Sequence, residues 1–226
     1  MPQRIEFTTD DQVKIIGGWA TAPTTIGAVI LLHMYPATKE SWASFQPVLA
    51  QRGIASLAID LRGHGESVST LEGAVLDYRK FNDDETKSTI NDVHGAYAWI
   101  KGRGIDADRI AVAGASIGAN LALKFLSDEP QVPAAILLSP GLHSHGIEPM
   151  DFMDYVSPHQ SVWIVASRGD DDESVSDSAE IMEGLFSSDK DFTKLEGAGH
   201  GTKMLEADGE LMGRMADWLR DKIQGS

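Results

Sequence analysis

The chain has 226 residues, 42% hydrophobic and 23% charged, which is enough for one sizeable α/β core and short for two domains. Its 34 Asp and Glu against 19 Lys and Arg give a formal charge of −15, a balance that repels phosphate-rich partners and argues against nucleic-acid binding. The absence of cysteine excludes a disulfide framework, a thiolate nucleophile and a thiolate metal site, and it suits a reducing compartment.

Residues 1 to 11 mix Arg4, Glu6, Asp10 and Asp11 with few apolar side chains, so they form neither a signal-peptide core nor a membrane span. A soluble, cytoplasmic protein with no membrane partner is expected. Arg4 to Thr8 alternate polar and apolar, Asp10-Asp11 make a turn, and Val13 to Trp19 repeat the pattern, which predicts an opening hairpin. Thr21 to Gly27 form a loop, and the unbroken apolar run Ala28 to Leu32 reads as a strand covered on both faces, where a parallel sheet begins.

His33 to Thr38 leave that strand before Ser41 caps a helix with Trp42, Phe45, Val48 and Leu49 on one face. Ile54 to Ile59 make the next buried strand, closing at Asp60-Leu61-Arg62-Gly63-His64-Gly65. Glu66 to Lys87 show no sustained period and read as a long polar excursion with room for one short helix. Ser88 starts a helix carrying Ile90, Val93, Tyr97 and Ile100, and Ile110 to Ala113 form a buried strand.

Two further apolar strands, Ala134 to Leu138 and Val162 to Ala166, are separated by Ser139 to Ser161, which has space for a short helix around Met150 to Tyr155 and none for a large lid. Phe152, Met153 and Tyr155 there read equally as pocket wall or as core. A helix through Ile181 and Leu185, a strand around Asp191 to Leu195 and an amphipathic helix with Leu211, Met215, Trp218, Leu219 and Ile223 complete the chain. No repeat or linker interrupts it. Strands alternating with helices predict one doubly wound α/β domain over residues 1–226.

Chemistry centres on Gly114-Ala115-Ser116-Ile117-Gly118, which follows an apolar strand and opens the helix of Leu121, Leu123, Phe125 and Leu126, the setting a nucleophile elbow requires. Gly114 and Gly118 let strand and helix backbones approach while Ser116 takes a strained conformation. A serine hydroxyl needs a general base, and the base needs a group that fixes its tautomer. His200, between Gly199 and Gly201, is the predicted base, and His33 is read as a brace for its neighbouring loop.

The acid belongs in Asp170-Asp171-Asp172-Glu173, just after a strand end. Gly169 permits the reversal and Asp172 stands at its far side, with Asp170 as runner-up. Acyl transfer also needs two donors for the developing oxyanion, read as the backbone N–H of Ile117 and that of Tyr35, with Met34 as the alternative to Tyr35.

On these motifs the chain resembles the α/β-hydrolase superfamily, within its small, lidless serine esterase and dienelactone-hydrolase-like branch, over essentially its whole length. The matching residues are His33-Met34-Tyr35-Pro36, where the family often has His-Gly, then Asp60 to Gly65, Gly114 to Gly118, Gly199-His200-Gly201, and the Gly-x-x-Asp-x-x-Val pattern met by Gly169, Asp172 and Val175. The resemblance implies an eight-stranded, mostly parallel sheet with its second strand antiparallel and helices on both faces. It also implies a catalytic triad of Ser116, Asp172 and His200, no metal and no cofactor. Dienelactone hydrolases often use cysteine, so Ser116 points away from that activity.

The expected function is hydrolysis of small or short-chain carboxylic esters through an acyl-enzyme. Thioesterase or acyl-protein hydrolase, amidase or peptidase, and perhydrolase chemistry are available to the same residues, and a non-catalytic ligand-binding role is the alternative from another class. Oligomeric state is not encoded in any of these motifs.

Overall fold

The computed structural model describes residues 1–168, 173–186 and 189–225. The opening hairpin is present as β1 (Gln3–Thr8) and β2 (Val13–Ala20), paired antiparallel from Gln3↔Trp19 to Thr8↔Lys14. After β3 (Gly27–Leu32) come a 3-10 turn at Lys39–Trp42, α1 (Phe45–Ala50) and β4 (Ile54–Ile59). The polar excursion holds β5 (Ser69–Thr70) and α2 (Asp83–Lys87), and is followed by α3 (Ile90–Lys101). Next come β6 (Ile110–Ala115), α4 (Ile117–Asp128), β7 (Ala134–Leu138) and β8 (Ser161–Arg168). Then α5 (Glu173–Leu185), β9 (Asp189–Glu196), α6 (Met204–Ala207) and α7 (Leu211–Gln224) close the chain.

Strand order is β1-β2-β4-β3-β6-β7-β8-β9, so the main sheet has the eight strands expected, with β2 antiparallel to both its neighbours and β3 onward parallel. β5 is an addition, a two-residue strand on the edge of β2 and too short for any periodicity to reveal. The apolar runs explain the layering. In β3, Ala28, Ile30 and Leu32 face one core with α3, α4 and α5, while Val29 and Leu31 face the other with α1 and α7. Strands covered on both faces read as near-continuous apolar runs, and β3, β4, β6 and β7 are fully buried along their lengths, with Ser56 of β4 the one polar side chain among them, hydrogen-bonded to Gln46 Nε2 at 3.1 Å.

Several boundaries differ from the sequence reading. Ser41 does not cap a helix: it lies inside the 3-10 turn that buries Trp42, and its hydroxyl is buried without a hydrogen-bond partner among the described residues. Ser88 precedes α3 rather than capping it, giving its hydroxyl hydrogen to Glu85 O instead. The helix expected near Met150 to Tyr155 is two 3-10 turns, Pro149–Asp151 and Met153–Tyr155. Pro149 and the short apolar spacing there suit single turns better than an α-helix.

Sheet order also locates a site. β3 is flanked by β4 on one side and β6 on the other, so the chain reverses its direction of travel across the sheet between β3 and β6. Open α/β sheets bind ligands beyond the carboxyl ends of strands at such a switch point.

The loop after β4 braces this edge. Asp60, fully buried, accepts Lys39 N–H at 2.8 Å, Lys39 Nζ at 2.8 Å and Glu66 N–H at 3.0 Å, joining it to the loop after β3. Arg62, 5% exposed, ties the hairpin turn to α3: its Nε donates to Asp92 Oδ1 at 2.9 Å and its Nη1 to Asp11 Oδ2 at 2.6 Å. Burial pushes the Asp11 carboxyl up, but hydrogen bonds from Arg62, Thr9 and Asn91 outweigh it and hold the group at about 2, below the ordinary 3.8.

A depressed carboxylate pKa stabilises the fold at pH above the unfolded value, and that contribution is lost as pH falls through the folded value. Asp11→Asn is therefore expected to cost about 1 kcal/mol at pH 6, allowing for solvent screening of a partly exposed pair. The difference from wild type should shrink between pH 4 and pH 2. Urea unfolding midpoints across that range measure it.

Candidate active site

At the end of β6 the chain turns into α4 through Ser116, whose φ of 53° and ψ of −119° lie where a Cβ is strained. Two glycines make the turn sterically feasible. A Cβ on Gly114 would sit 1.9 Å from Gly118 O, and one on Gly118 would sit 2.5 Å from Leu32 O and 2.7 Å from His33 O. Strand β6, helix α4 and the end of β3 therefore meet at backbone contact distance. Ser116 is anchored by its own N–H, which donates to Leu138 O at 2.8 Å, and its carbonyl accepts Ala119 N–H at 2.8 Å.

The loop after β3 is held by His33. Its Nε2 accepts Leu61 N–H at 3.0 Å, so Nδ1 carries the hydrogen donated to Met34 O at 2.9 Å. Burial pushes this imidazole down to about 4, which keeps the neutral tautomer at neutral pH. The brace role read from sequence is thus observed. Tyr35 follows, its ring packed 4.6 Å from His64, 5.0 Å from Tyr78 and 5.5 Å from His145, centroid to centroid. Among the described residues no group accepts the N–H of Tyr35 or of Ile117, which is the first residue of α4.

His200 stands on the loop after β9. That loop is stitched to the end of β8 by Gly197 N–H to Arg168 O at 2.8 Å and Ala198 N–H to Ser167 Oγ at 2.9 Å. It is also stitched to the end of β7 by Gly201 N–H to Ser139 Oγ at 3.0 Å. Gly201, with φ of 59°, comes close to Met34, whose sulfur would lie 2.6 Å from an added Cβ. Met34, which stands where a glycine was the familiar residue, thereby packs the β3 loop onto the His200 loop.

Ser116, His200 and Tyr35 line one cleft of 420 Å³, together with Met34, Pro36 and Ser139. The loops after β3, β6, β7 and β9 all contribute, at the carboxyl edge where the switch point placed it. Asp172, with its runner-up Asp170, falls outside the described residues; α5 begins at Glu173.

Phe152, Met153 and Tyr155 do not reach this cleft: the first two are buried in the core with α4 and α5, and Tyr155 is exposed. Sequence reasoning missed Ser139, whose hydroxyl fixes the His200 loop, and His143, which lines the cleft. Neither carries a local motif that would have singled it out. Among the described residues no group of three or more His, Cys, Asp or Glu is placed to hold a metal ion. No helix among them is long and apolar enough to cross a membrane.

Comparison with known proteins places this geometry in context. A family model described as Hydrolase_4, serine aminopeptidase, S33 matches residues 23–207. The carboxylesterase/phospholipase LipF of Mycobacterium tuberculosis (strain ATCC 25618 / H37Rv) is 30% identical over 132 residues, covering 53% of this chain and 35% of LipF. The 2,6-dihydropseudooxynicotine hydrolase of Paenarthrobacter nicotinovorans is 29% identical over 144 residues, covering 63% of this chain and 35% of that protein. The chain thus spans about a third of the length of the curated relatives it matches. Among solved structures, the α/β hydrolase GrgF from Penicillium sp. sh18 aligns with a TM-score of 0.81 at 18% identity over 99% of each chain, a likeness of fold.

Proposed function

This chain belongs to the serine aminopeptidase S33 family of α/β hydrolases, and from that premise we propose that it is a serine esterase acting on small or short-chain carboxylic esters. The observation that carries the reading is the strained Ser116 at the head of α4, in one cleft with His200. In the proposed reaction Ser116 Oγ attacks the ester carbonyl carbon while His200 accepts its proton, and Asp172 holds the imidazole in the required tautomer. The N–H groups of Ile117 and Tyr35 stabilise the oxyanion. Collapse of the tetrahedral adduct breaks the bond to the alcohol oxygen, which leaves with the proton from His200. Water, deprotonated by His200, then attacks the acyl-enzyme and releases the acid and Ser116.

One further feature favours small substrates and another favours ester hydrolysis. A cleft of 420 Å³ is near the lower end of ligand-pocket sizes. LipF, a relative over half of this chain, is a carboxylesterase/phospholipase by name.

A fluorophosphonate probe should label Ser116, as read by peptide mass mapping, and should leave the Ser116→Ala variant unlabelled. p-Nitrophenyl acetate and butyrate should then be turned over with higher kcat/KM than acyl thioesters or peptide amides. Preference for thioester or peptide would transfer the same residues to thioesterase or peptidase chemistry. An unlabelled wild-type serine would leave the non-catalytic reading in place.

A further inference from the structure

Residues 141–147 form a strap beside α4 that separates two cavities. Gly141, His143 and Ser144 line the catalytic cleft, whereas Gly146 and Ile147 line a second groove of 690 Å³, walled also by Ile90, Leu121, Phe152 and Tyr155. The strap turns back on itself at His145 (φ 49°) and Gly146 (φ 82°), with an isolated bridge between Ser144 and Ile147.

One side chain fastens both ends of it. Asn120 lies one helical turn beyond Ser116 and is fully buried. Its Nδ2 donates to Gly141 O at 2.8 Å and to Ile147 O at 3.2 Å, and its Oδ1 accepts Gly141 N–H at 3.2 Å. A primary amide has two donor hydrogens and an acceptor oxygen, and all are used on the strap.

We propose that Asn120 sets the acyl-chain limit of this enzyme: by fastening the 141–147 strap it walls the catalytic cleft off from the apolar groove, and only short acyl groups fit in front of that wall. This rests on the esterase reading above. The groove is larger than the cleft and is lined by the apolar Ile90, Leu121, Ile147 and Phe152 alongside the charged Lys87, Lys124, Asp128, Glu148 and Asp151, so a strap released from Asn120 opens the cleft onto apolar side chains that welcome methylenes. Asn120 touches neither the reacting carbonyl nor its oxyanion donors in this scheme, so it acts as a specificity determinant through the strap.

The test is the ratio of kcat/KM for p-nitrophenyl octanoate to that for the acetate. Each methylene moved from water into apolar surroundings is worth about fourfold, and octanoate carries six methylenes that acetate lacks, so admitting even part of them should raise the ratio at least about tenfold in Asn120→Ala. Adding Ile147→Trp to that variant fills the groove and should return the ratio toward wild type, while Ile147→Trp alone should leave it unchanged. Circular dichroism checks folding. If Asn120→Ala does not fold, Asn120→Ser, which keeps one hydrogen-bonding group, is read by the same ratio.

A folded, acetate-hydrolysing Asn120 variant with an unchanged ratio overturns the proposal, as does a gain that survives Ile147→Trp. A merely structural Asn120 would lower both rates together and leave the ratio where it was. A wild-type enzyme that hydrolyses no p-nitrophenyl ester overturns the esterase reading and this proposal with it, a result distinct from an active esterase whose ratio ignores Asn120.

Discussion

Ser116→Ala is expected to lower kcat by about 10⁵- to 10⁶-fold, the loss seen when a triad serine is removed and only substrate binding and oxyanion donors remain. The fold should survive. Alanine keeps the Cβ and therefore the same strain at φ 53°, and Ser116 N–H to Leu138 O is a backbone contact that the substitution leaves alone. Melting temperature should accordingly stay within about 2 °C of wild type. Ser116→Gly separates strain from chemistry: it should be as inactive, yet more stable by about 1 kcal/mol, because glycine occupies positive φ without a Cβ penalty. Steady-state rates and thermal unfolding of the two variants give both numbers. An alanine variant retaining more than a tenth of wild-type activity would sink the nucleophile assignment.

The strain at Ser116 persists because its surroundings leave no other path. With 1.9 Å from a Gly114 Cβ to Gly118 O and 2.5 Å from a Gly118 Cβ to Leu32 O, either glycine replaced by alanine would force β6, α4 and β3 apart. Gly114 was legible in the sequence because its constraint is local, set by Gly118 four residues on at one strand-to-helix junction, and Gly118 was legible as the other half of that pattern although what its Cβ would meet, Leu32 O and His33 O, lies on the distant end of β3. The parallel sheet was legible for a related reason: burial on both faces leaves β3, β6 and β7 no polar side chain and β4 only Ser56, whose hydroxyl accepts Gln46 Nε2 at 3.1 Å, so the layering is written in each strand separately.

What stayed hidden depends on contacts between distant parts of the chain. Ser139 reaches Gly201 across 62 residues and Asn120 reaches Gly141 across 21, and a lone serine or asparagine gives no sign of such a partner. Phe152 and Met153 read as wall or core alike, since apolar side chains serve either purpose and only the packing of the 139–160 segment against α4 decides. At Ser41 a capping pattern yielded to the burial of Trp42 and Phe45, whose apolar surface outweighs a cap.

The acid partner of His200 is the point at which sequence and structure must be joined. β8 ends at Arg168 and α5 starts at Glu173, so the carboxylates at 170, 171 and 172 all belong to the junction between them. β9 runs parallel to β8 up to the pair Arg168↔Glu196, and the His200 loop is then sewn to β8 through Arg168 O and Ser167 Oγ. The histidine loop and the end of β8 thus leave adjacent strands side by side, and an acid from 170–172 as the partner of His200 is the proposal that this arrangement supports. Asp172 is the choice because it stands three residues beyond Gly169 and three before Val175, matching the pattern of the superfamily. Asparagine at this position cannot hold the histidine tautomer that accepts the serine proton, a fault that costs on the order of 10⁴ in kcat in the chymotrypsin-type template. Asp172→Asn should therefore lose at least about 10²-fold, allowing for partial substitution by a neighbouring carboxylate, whereas Asp170→Asn and Asp171→Asn should each lose less than about tenfold. With kcat measured for three folded variants, a crippled Asp170→Asn beside an active Asp172→Asn would move the acid two residues toward β8 and leave Ser116 and His200 in their roles.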